Sequence, residues 1–415
     1  MSKLKTTQNH CFCSIDWASQ KHYVVVKDCK KAVLYEGFIA HSQSSFEQML
    51  CLLNQKRHSG EVPLIYEGSR GAIFNAFVGV PWIKLCPVNP IKTKRLNELD
   101  GSAKGKSDPR DAHLLCDYLI DNFSKLRDIY IEKDIEYRKL EEWVRCEHDL
   151  IKGIKALKQR IKADLSTFIP ELNGMITDLE KPVYQDYLMR FDRLQHMALD
   201  PIKRFLYQHN VRSAKSIETF INIHKKLKAI GSNRDFHSNQ LKIIRLWVQL
   251  LQSNCLQLKQ CRQEIHAIFD QLPQAHIYTS QPGAGDRIAP RLAALFGSKP
   301  QKAFQHKRQA LAYFGQSPVT EKSGKSSLVF KRFNCNGFAR HTCFLWAYSV
   351  NKARGDRWQK RYLTKLKGKG DKAPTRYRKL GCKIVPILYK CLCDNITYNE
   401  DTYQKNTFQF KHASN

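Results

Sequence analysis

The chain is arranged around Lys104-Gly105-Lys106-Ser107-Asp108-Pro109-Arg110-Asp111-Ala112-His113. A basic, glycine-containing loop here runs into two aspartates three residues apart. Ser107 or Asp108 can cap a helix, and a proline suits the first helical turn. The i, i+3 spacing puts Asp108 and Asp111 on one helix face. Carboxylates that close repel unless a cation or a proton lies between them. One reading is a capping box, with Asp111 bonding back to the cap. Another is a pair of metal ligands, and the two are compatible.

Upstream, the pattern is that of a small α/β layer. Residues 11–16 form a short apolar strand that ends in Asp16, and 18–22 form a polar turn. Residues 23–27 and 32–39 are β-branched and apolar on either side of the Lys30-Lys31 turn, which predicts a three-stranded meander. A helix over 46–53, a strand over 63–66 ending in Glu67-Gly68, a helix over 70–78 and a strand over 83–86 follow. The expected class is α/β with a mixed sheet. If the strands ending in Asp16 and Glu67 are adjacent and parallel, both acids emerge at one sheet edge, where such sheets place their sites. The helix beginning at Asp108 then packs beside that edge. Carboxylates in this pattern suit hard Mg²⁺, which takes oxygen ligands. Two such ions clamp the attacking and leaving oxygens of a phosphodiester.

With 69 Lys and Arg against 38 acids, the 415-residue chain carries a formal net charge of +31, which draws it to polyanions. Aromatics at 11% add possible stacking surfaces, so the chain reads first as a nucleic-acid binder. Its 14 cysteines include no Cys-x-x-Cys pair, which argues against a zinc ribbon or finger. Cys116, Cys146, Cys255 and Cys261 read as small core residues. No apolar run approaches a membrane span and no signal peptide is evident, so a reducing cytoplasm is the expected location.

From about Asp134 the texture becomes helical. Leu140, Val144, Ile151, Ile154, Leu157, Ile161 and Leu165 form one stripe, ended by Pro170. Leu241, Ile244, Val248, Leu251, Cys255, Leu258, Ile265 and Phe269 form another. Together they fit an antiparallel helical pair or a coiled-coil arm, with shorter helices near 184–197 and 202–207 between them. Pro282-Gly283-Ala284-Gly285 then opens a helix and resembles a helix-hairpin-helix turn, whose backbone N–H groups suit a phosphate. A polar loop follows, with Lys322-Ser323-Gly324-Lys325-Ser326-Ser327 at its centre. Lysines beside a serine favour a nearby phosphate. Residues 342–350 read as an apolar helix. Over 354–383, Lys and Arg are interleaved with Trp358, Tyr362 and Tyr377, a pattern suited to a nucleic-acid backbone.

Taken together, these motifs resemble the DEDD transposases of the IS110 insertion-sequence family, which includes the Piv-type DNA invertases. The resemblance rests on Ile15-Asp16, Tyr66-Glu67-Gly68, Lys106 to Ala112, Pro282 to Gly285, Gly315 and Pro318 leading to Ser323-Gly324-Lys325, and the later Tyr362, Lys367-Gly368-Lys369 and Arg378-Lys379-Leu380. It implies an RNase H-like (RuvC-like) catalytic domain over 1–133, a helical coiled-coil region over 134–272, a mainly α transposase domain with a helix-hairpin-helix over 273–399, and a tail over 400–415. It assigns Asp16, Glu67, Asp108 and Asp111 to Mg²⁺, with two ions expected. Ser323 is the matching nucleophile, and Ser326 the runner-up because the serine loop departs from the family's usual Ser-Ser-Gly-Gly-Lys. Lys104, Lys106, Arg110, Gly283, Gly285, Lys322, Lys325 and Arg340 are candidates for contact with nucleic acid. The arginine-rich run expected around Arg340 is not kept.

The resemblance further implies excision and insertion of a mobile element through a phosphoserine intermediate. Expected partners are double-stranded DNA and a structured guide RNA, with no membrane and a homodimer or homotetramer as the working form. Two other classes fit the residues. One is a metal-dependent Holliday-junction resolvase or nuclease that uses water; the other is a nucleic-acid-binding protein whose acids are structural.

Overall fold

A computed structural model of the chain describes residues 11–58, 60–68, 71–88, 90–99, 107–123, 134–227, 230, 233–323, 326–353 and 355–401. The chain divides into two compact units, Met1–Glu132 and Lys133–Asn415.

The first unit follows the predicted order closely. Strands β1 (Phe12–Asp16), β2 (Lys21–Lys27) and β3 (Val33–Ala40) form the meander. Helix α1 (Gln43–Lys56) is capped by Ser42, whose side chain accepts from the Ser45 N–H. Strand β4 (Val62–Glu67), helix α2 (Ala72–Phe77), strand β5 (Ile83–Val88), and helices α3 (Pro90–Leu99) and α4 (Asp108–Asn122) complete it. The sheet order is β3-β2-β1-β4-β5. β4 runs parallel to both β1 and β5, and β2 antiparallel to β1 and β3. The strands alternate between two cores. Cys13, Ile15, Val24, Val26, Leu64, Tyr66 and Leu85 pack with Phe46, Met49 and Leu53 of α1 and Ile73 of α2. Phe12, Val25, Ile65, Cys86 and Val88 pack under Ala112, Leu115, Cys116 and Leu119 of α4. The sequence reading missed α3, whose polar composition hides its periodicity.

In the second unit, α5 (Ile135–Phe168) and α11 (Arg234–Phe269) lie side by side. The pair is antiparallel: Cys261 Sγ donates to Trp143 O at 3.4 Å, and at the other end Phe168 meets His237. Between them come α6 (Glu171–Met175), α7 (Pro182–Met189), α8 (Phe191–Leu194), α9 (Leu199–Gln208) and α10 (Ala214–His224), packed on the distal halves of the pair. The proximal halves join the core of α12 (Ala275–Thr279), α13 (Gly285–Phe296), α14 (Pro300–Ala303), α15 (Lys307–Tyr313), α16 (Gly337–Lys352), α17 (Trp358–Gly368) and α18 (Ala373–Asp394). Both apolar stripes are thus used inside the chain. Of the cysteines read as core, Cys116 and Cys261 are buried, Cys255 is partly so, and Cys146 is exposed on α5. At the junction of α5, α11 and α13, the buried Glu147 accepts from Arg262 Nε at 3.0 Å and from Arg291 Nη2 at 2.7 Å. Among the described residues no helix is long and apolar enough to cross a membrane.

Four histidines are held below the ordinary 6.5 by burial: His22, with His41 adding to the effect, His148, His224 and His341. The native chain binds these protons less readily than the unfolded chain. Their contribution to stability is therefore full above about pH 6.5 and is lost as pH falls through 6.5 towards the depressed native values. Thermal unfolding followed by circular dichroism is expected to show Tm falling between pH 7 and pH 5. A flat or rising Tm over that window contradicts it.

Candidate active site

The sheet brings the first two acids together. β1 and β4 are neighbours and parallel, with Ile15 opposite Tyr66. The next residue on each strand is the acid, Asp16 and Glu67. Gly68 then turns β4 away with φ of +87°, a conformation that favours glycine, and its N–H donates to Val88 O at 3.0 Å. Helix α4 crosses the Asp16 side of the sheet in the opposite direction to β1. Ser14 Oγ donates to Ala112 O at 2.6 Å, and further along Cys116 Sγ lies 3.6 Å from Phe12 O. The first turn of α4, with Asp108 and Asp111, therefore faces the end of the sheet where β1 and β4 finish.

That turn is not a capping box. Ser107 is the cap residue, but its side chain makes no cap hydrogen bond, and only its carbonyl is used, accepting from the Asp111 N–H at 3.0 Å. The Asp111 carboxylate instead accepts from Asn97 Nδ2 of α3 at 3.1 Å. Asp111 is 5% exposed, whereas Asp16, Glu67 and Asp108 are half-buried. A buried carboxylate served by a neutral amide is costly unless it is paired or binds a metal. The donor set, all carboxylate oxygen, suits a hard divalent cation. Among the described residues, no three acidic, His or Cys side chains are close enough to enclose an ion. Arg110 is half-buried in the same turn. Lys104 and Lys106 lie outside the described residues.

Two residues of this site escaped the sequence reading. Asn97 has no local signal, because its role is set by a helix-to-helix contact. Ser14 had one: a polar residue at an inward position of a buried strand, two before Asp16 on the same face.

The predicted serine loop is instead a hairpin, β6 (Val319–Ser323) with β7 (Ser326–Phe330). Ser323 and Ser326 are its closing pair, joined by two residues, the spacing of a tight β-turn. The two candidate nucleophiles therefore sit on the same face, one across from the other. Ser326 Oγ donates to Ser323 O at 2.9 Å, whereas among the described residues the Ser323 hydroxyl has no hydrogen bond. The hairpin is exposed along β7 and carries Leu328, Val329 and Phe330, followed by Phe333 at 78% exposure. At its base, Arg332 Nε donates to Ser317 O at 2.9 Å, and Arg340 Nη1 contacts Cys335 Sγ at 3.7 Å. Lys322 pairs in register with Ser327. Gly324 and Lys325 lie outside the described residues.

The Pro-Gly-x-Gly turn joins α12 to α13, and its first glycine has a packing role. Gly283 has φ of +72°, and a Cβ there would lie 2.6 Å from the Val350 N of α16. Trp346 Nε1 donates to Pro282 O at 2.8 Å beside it. Gly285 is exposed at the start of α13. Gly283→Ala is expected to destabilise the chain by about 3 kcal/mol or more, since it adds both a left-handed φ and a clash with backbone. A urea midpoint unchanged from wild type would mean that the close approach is not what requires glycine.

The basic segment has the predicted charge but not the predicted aromatic surface. Tyr377 is buried, and Trp358 and Tyr362 pack against the same core. Trp358 Nε1 donates to Tyr398 Oη at 2.9 Å. Helical spacing turns these rings inward and leaves Arg361, Lys365, Lys367, Lys369, Lys372 and Lys383 exposed. The most exposed side chains of the segment are thus cations suited to phosphates.

Comparison with known proteins agrees with the two ends of this description. Residues 13–170 match a DEDD transposase profile of the IS110 type, and residues 275–363 match one described as the IS116/IS110/IS902 transposase family. A Streptomyces coelicolor protein bearing a transposase name for the IS117 mini-circle is 22% identical over 355 residues, covering 82% of this chain and 84% of its own length. The Sinorhizobium fredii protein y4uE, which also bears a transposase name, is 23% identical over 217 residues, covering 50% of this chain and 59% of its own length.

Proposed function

Because the chain belongs to the IS110 family and is a DNA transposase, we propose that it excises and inserts a mobile element by transesterification through a serine. The observation that supports this reading is the register that ends the neighbouring parallel strands β1 and β4 in Asp16 and Glu67, with α4 running antiparallel to β1 so that its acidic first turn lies towards that end of the sheet. Asp16, Glu67, Asp108 and Asp111 would hold Mg²⁺, two ions in the reading drawn from the resemblance. Bound there, the cation supplies charge neutralisation at the scissile phosphate and makes a nearby hydroxyl more acidic. Asn97 orients the Asp111 carboxylate, and the Ser14–Ala112 bond holds the helix turn over the strand ends.

Ser323 is the nucleophile, on an exposed tip that gives its hydroxyl access to a phosphorus atom. Its Oγ forms a bond to phosphorus as one P–O bond of the DNA strand breaks, and the departing oxygen takes up a proton. Attack by a strand hydroxyl then breaks the Oγ–P bond. Each exchange conserves the number of phosphoester bonds, so strands are rejoined without net hydrolysis. Arg340 braces the base of the hairpin. The helix-hairpin-helix reading falls on α12 and α13, where the exposed first turn with Gly285 and Arg287 offers backbone N–H groups and a cation to the DNA backbone. The net charge of +31 supports binding to DNA and to a structured guide RNA. In that arrangement base pairing reads sequence while the protein reads shape and backbone. The working assembly is a homodimer or homotetramer.

A donor plasmid carrying the gene with its flanking non-coding DNA tests this reading. Sealed excision junctions and, after denaturation, a DNA-linked peptide containing Ser323 are expected. Linear cut products with no protein adduct would point instead to a water-using nuclease, and no cutting to a binding protein.

A further inference from the structure

The face of the sheet that bears Asp16 continues past it as an exposed aromatic surface. Asp16 is opposite Tyr23 on β2, and Tyr23 is opposite Phe38 on β3. Residues opposite one another across a sheet share a face, so Asp16, Tyr23 and Phe38 stand in a row. Two strand spacings put Phe38 about 10 Å from Asp16. Phe38 is 49% exposed. Its ring is held edge-to-face by Tyr23, with centroids 4.9 Å apart and planes at 78°. Lys21 Nζ lies 4.2 Å from the Phe38 centroid. Glu36, two residues earlier on the same face of β3, is tied to His113 of α4 at 2.7 Å.

A single exposed aromatic is ordinary on a protein surface. This one is oriented by a neighbouring ring, carries a lysine, and lies on an edge strand where charged residues are the usual choice. It also continues the row begun by a candidate catalytic acid. Of the interleaved aromatics of the C-terminal segment, Tyr377 is buried and Trp358 and Tyr362 are partly buried against the core.

We propose that Phe38, steadied by Tyr23 and flanked by Lys21, is a stacking platform for an unpaired DNA base next to the nucleotide whose phosphate the acids engage. Strand exchange requires bases beside the break to leave the duplex, and an aromatic face replaces the stacking partner they lose. Lys21 moves from the ring to that nucleotide's phosphate. The inference rests on the reading of Asp16, Glu67, Asp108 and Asp111 as the phosphodiester site.

The test uses the full chain and a single-stranded deoxyoligonucleotide containing 5-iodouracil, which cross-links under light to rings stacked on it. A cross-linked peptide with the adduct on Phe38 is expected. In the plasmid assay Phe38→Leu should lower excision by roughly tenfold, and Phe38→Trp should restore it to within a few-fold of wild type. The side chain is half exposed, so Tm should be unchanged in both variants. Adducts confined to other residues, or wild-type excision by Phe38→Leu, overturn the proposal. Asp111→Asn separates the two readings. If it loses excision but keeps the Phe38 adduct, both stand. If it excises normally, the acid assignment fails, while the adduct and the Phe38→Leu/Phe38→Trp comparison still decide the platform.

Discussion

Asp111→Asn is expected to reduce excision by roughly a thousandfold or more while leaving the protein folded. Both halves of that expectation come from the environment of the side chain. Asp111 is buried, and among the described residues its carboxylate is met by one neutral donor, Asn97 Nδ2. Asparagine has the same shape, and its carbonyl oxygen still accepts from Asn97. Its backbone N–H still reaches Ser107 O. Replacement therefore removes a charge without removing a structural bond, and Tm should stay within a few degrees of wild type. Binding of the deoxyoligonucleotide should also persist, because the exposed cations of α17 and α18 are untouched. Excision at a tenth of the wild-type rate or better would show that Asp111 is not a metal ligand. A collapse in Tm would assign it to the fold instead. Asn97→Ala should act in the same direction but more weakly, because it loosens the carboxylate without discharging it.

Ser323→Ala is expected to bring excision below detection, since loss of a serine nucleophile costs on the order of a millionfold in rate. The hairpin explains why Ser326→Ala should cost only a few-fold. Ser326 Oγ is engaged with Ser323 O at 2.9 Å, which makes it a brace for the turn. Ser323 carries the hydroxyl that is not engaged among the described residues. Both residues are exposed, so neither variant should unfold the chain. Trapping separates the outcomes directly. An adduct that vanishes in Ser323→Ala and persists in Ser326→Ala supports the assignment, and the reverse pattern moves the nucleophile three residues on. Undiminished excision by both variants excludes serine chemistry at this hairpin.

Much of this is legible in the sequence. Short β-branched runs marked the strands of the first unit, and the acids at their ends stood out because an apolar strand stops at a charge. The two long apolar stripes marked α5 and α11, whose lengths of 34 and 36 residues leave little else for them to be. The misreadings share a cause. Trp358, Tyr362 and Tyr377 lie between cations in sequence, and only the helical turn shows that Tyr377 is buried and the other two lean on the core while the cations stay exposed. The hairpin over 319–330 gave no strand signal because β7 buries neither face: Leu328, Val329 and Phe330 follow one another, all exposed, with no alternation of polar and apolar residues. Gly283 read as part of a phosphate cradle, and what requires a glycine there is the close approach of the backbone of α16.

The sequence by itself determined the five strands and most helices of the first unit, the two long helices of the second, where the acids lie along them, and the strong positive charge. These depend on local periodicity and composition. The tertiary structure alone decided that β1 and β4 are parallel neighbours, that Ser14 pins Ala112, that Asn97 rather than the helix cap serves Asp111, and that Phe38 stands in line with Asp16. Each of these joins residues distant along the chain. Such a pairing is chosen by the competition of all buried surfaces for partners, and periodicity tells a strand which face to bury without telling it which strand will lie beside it.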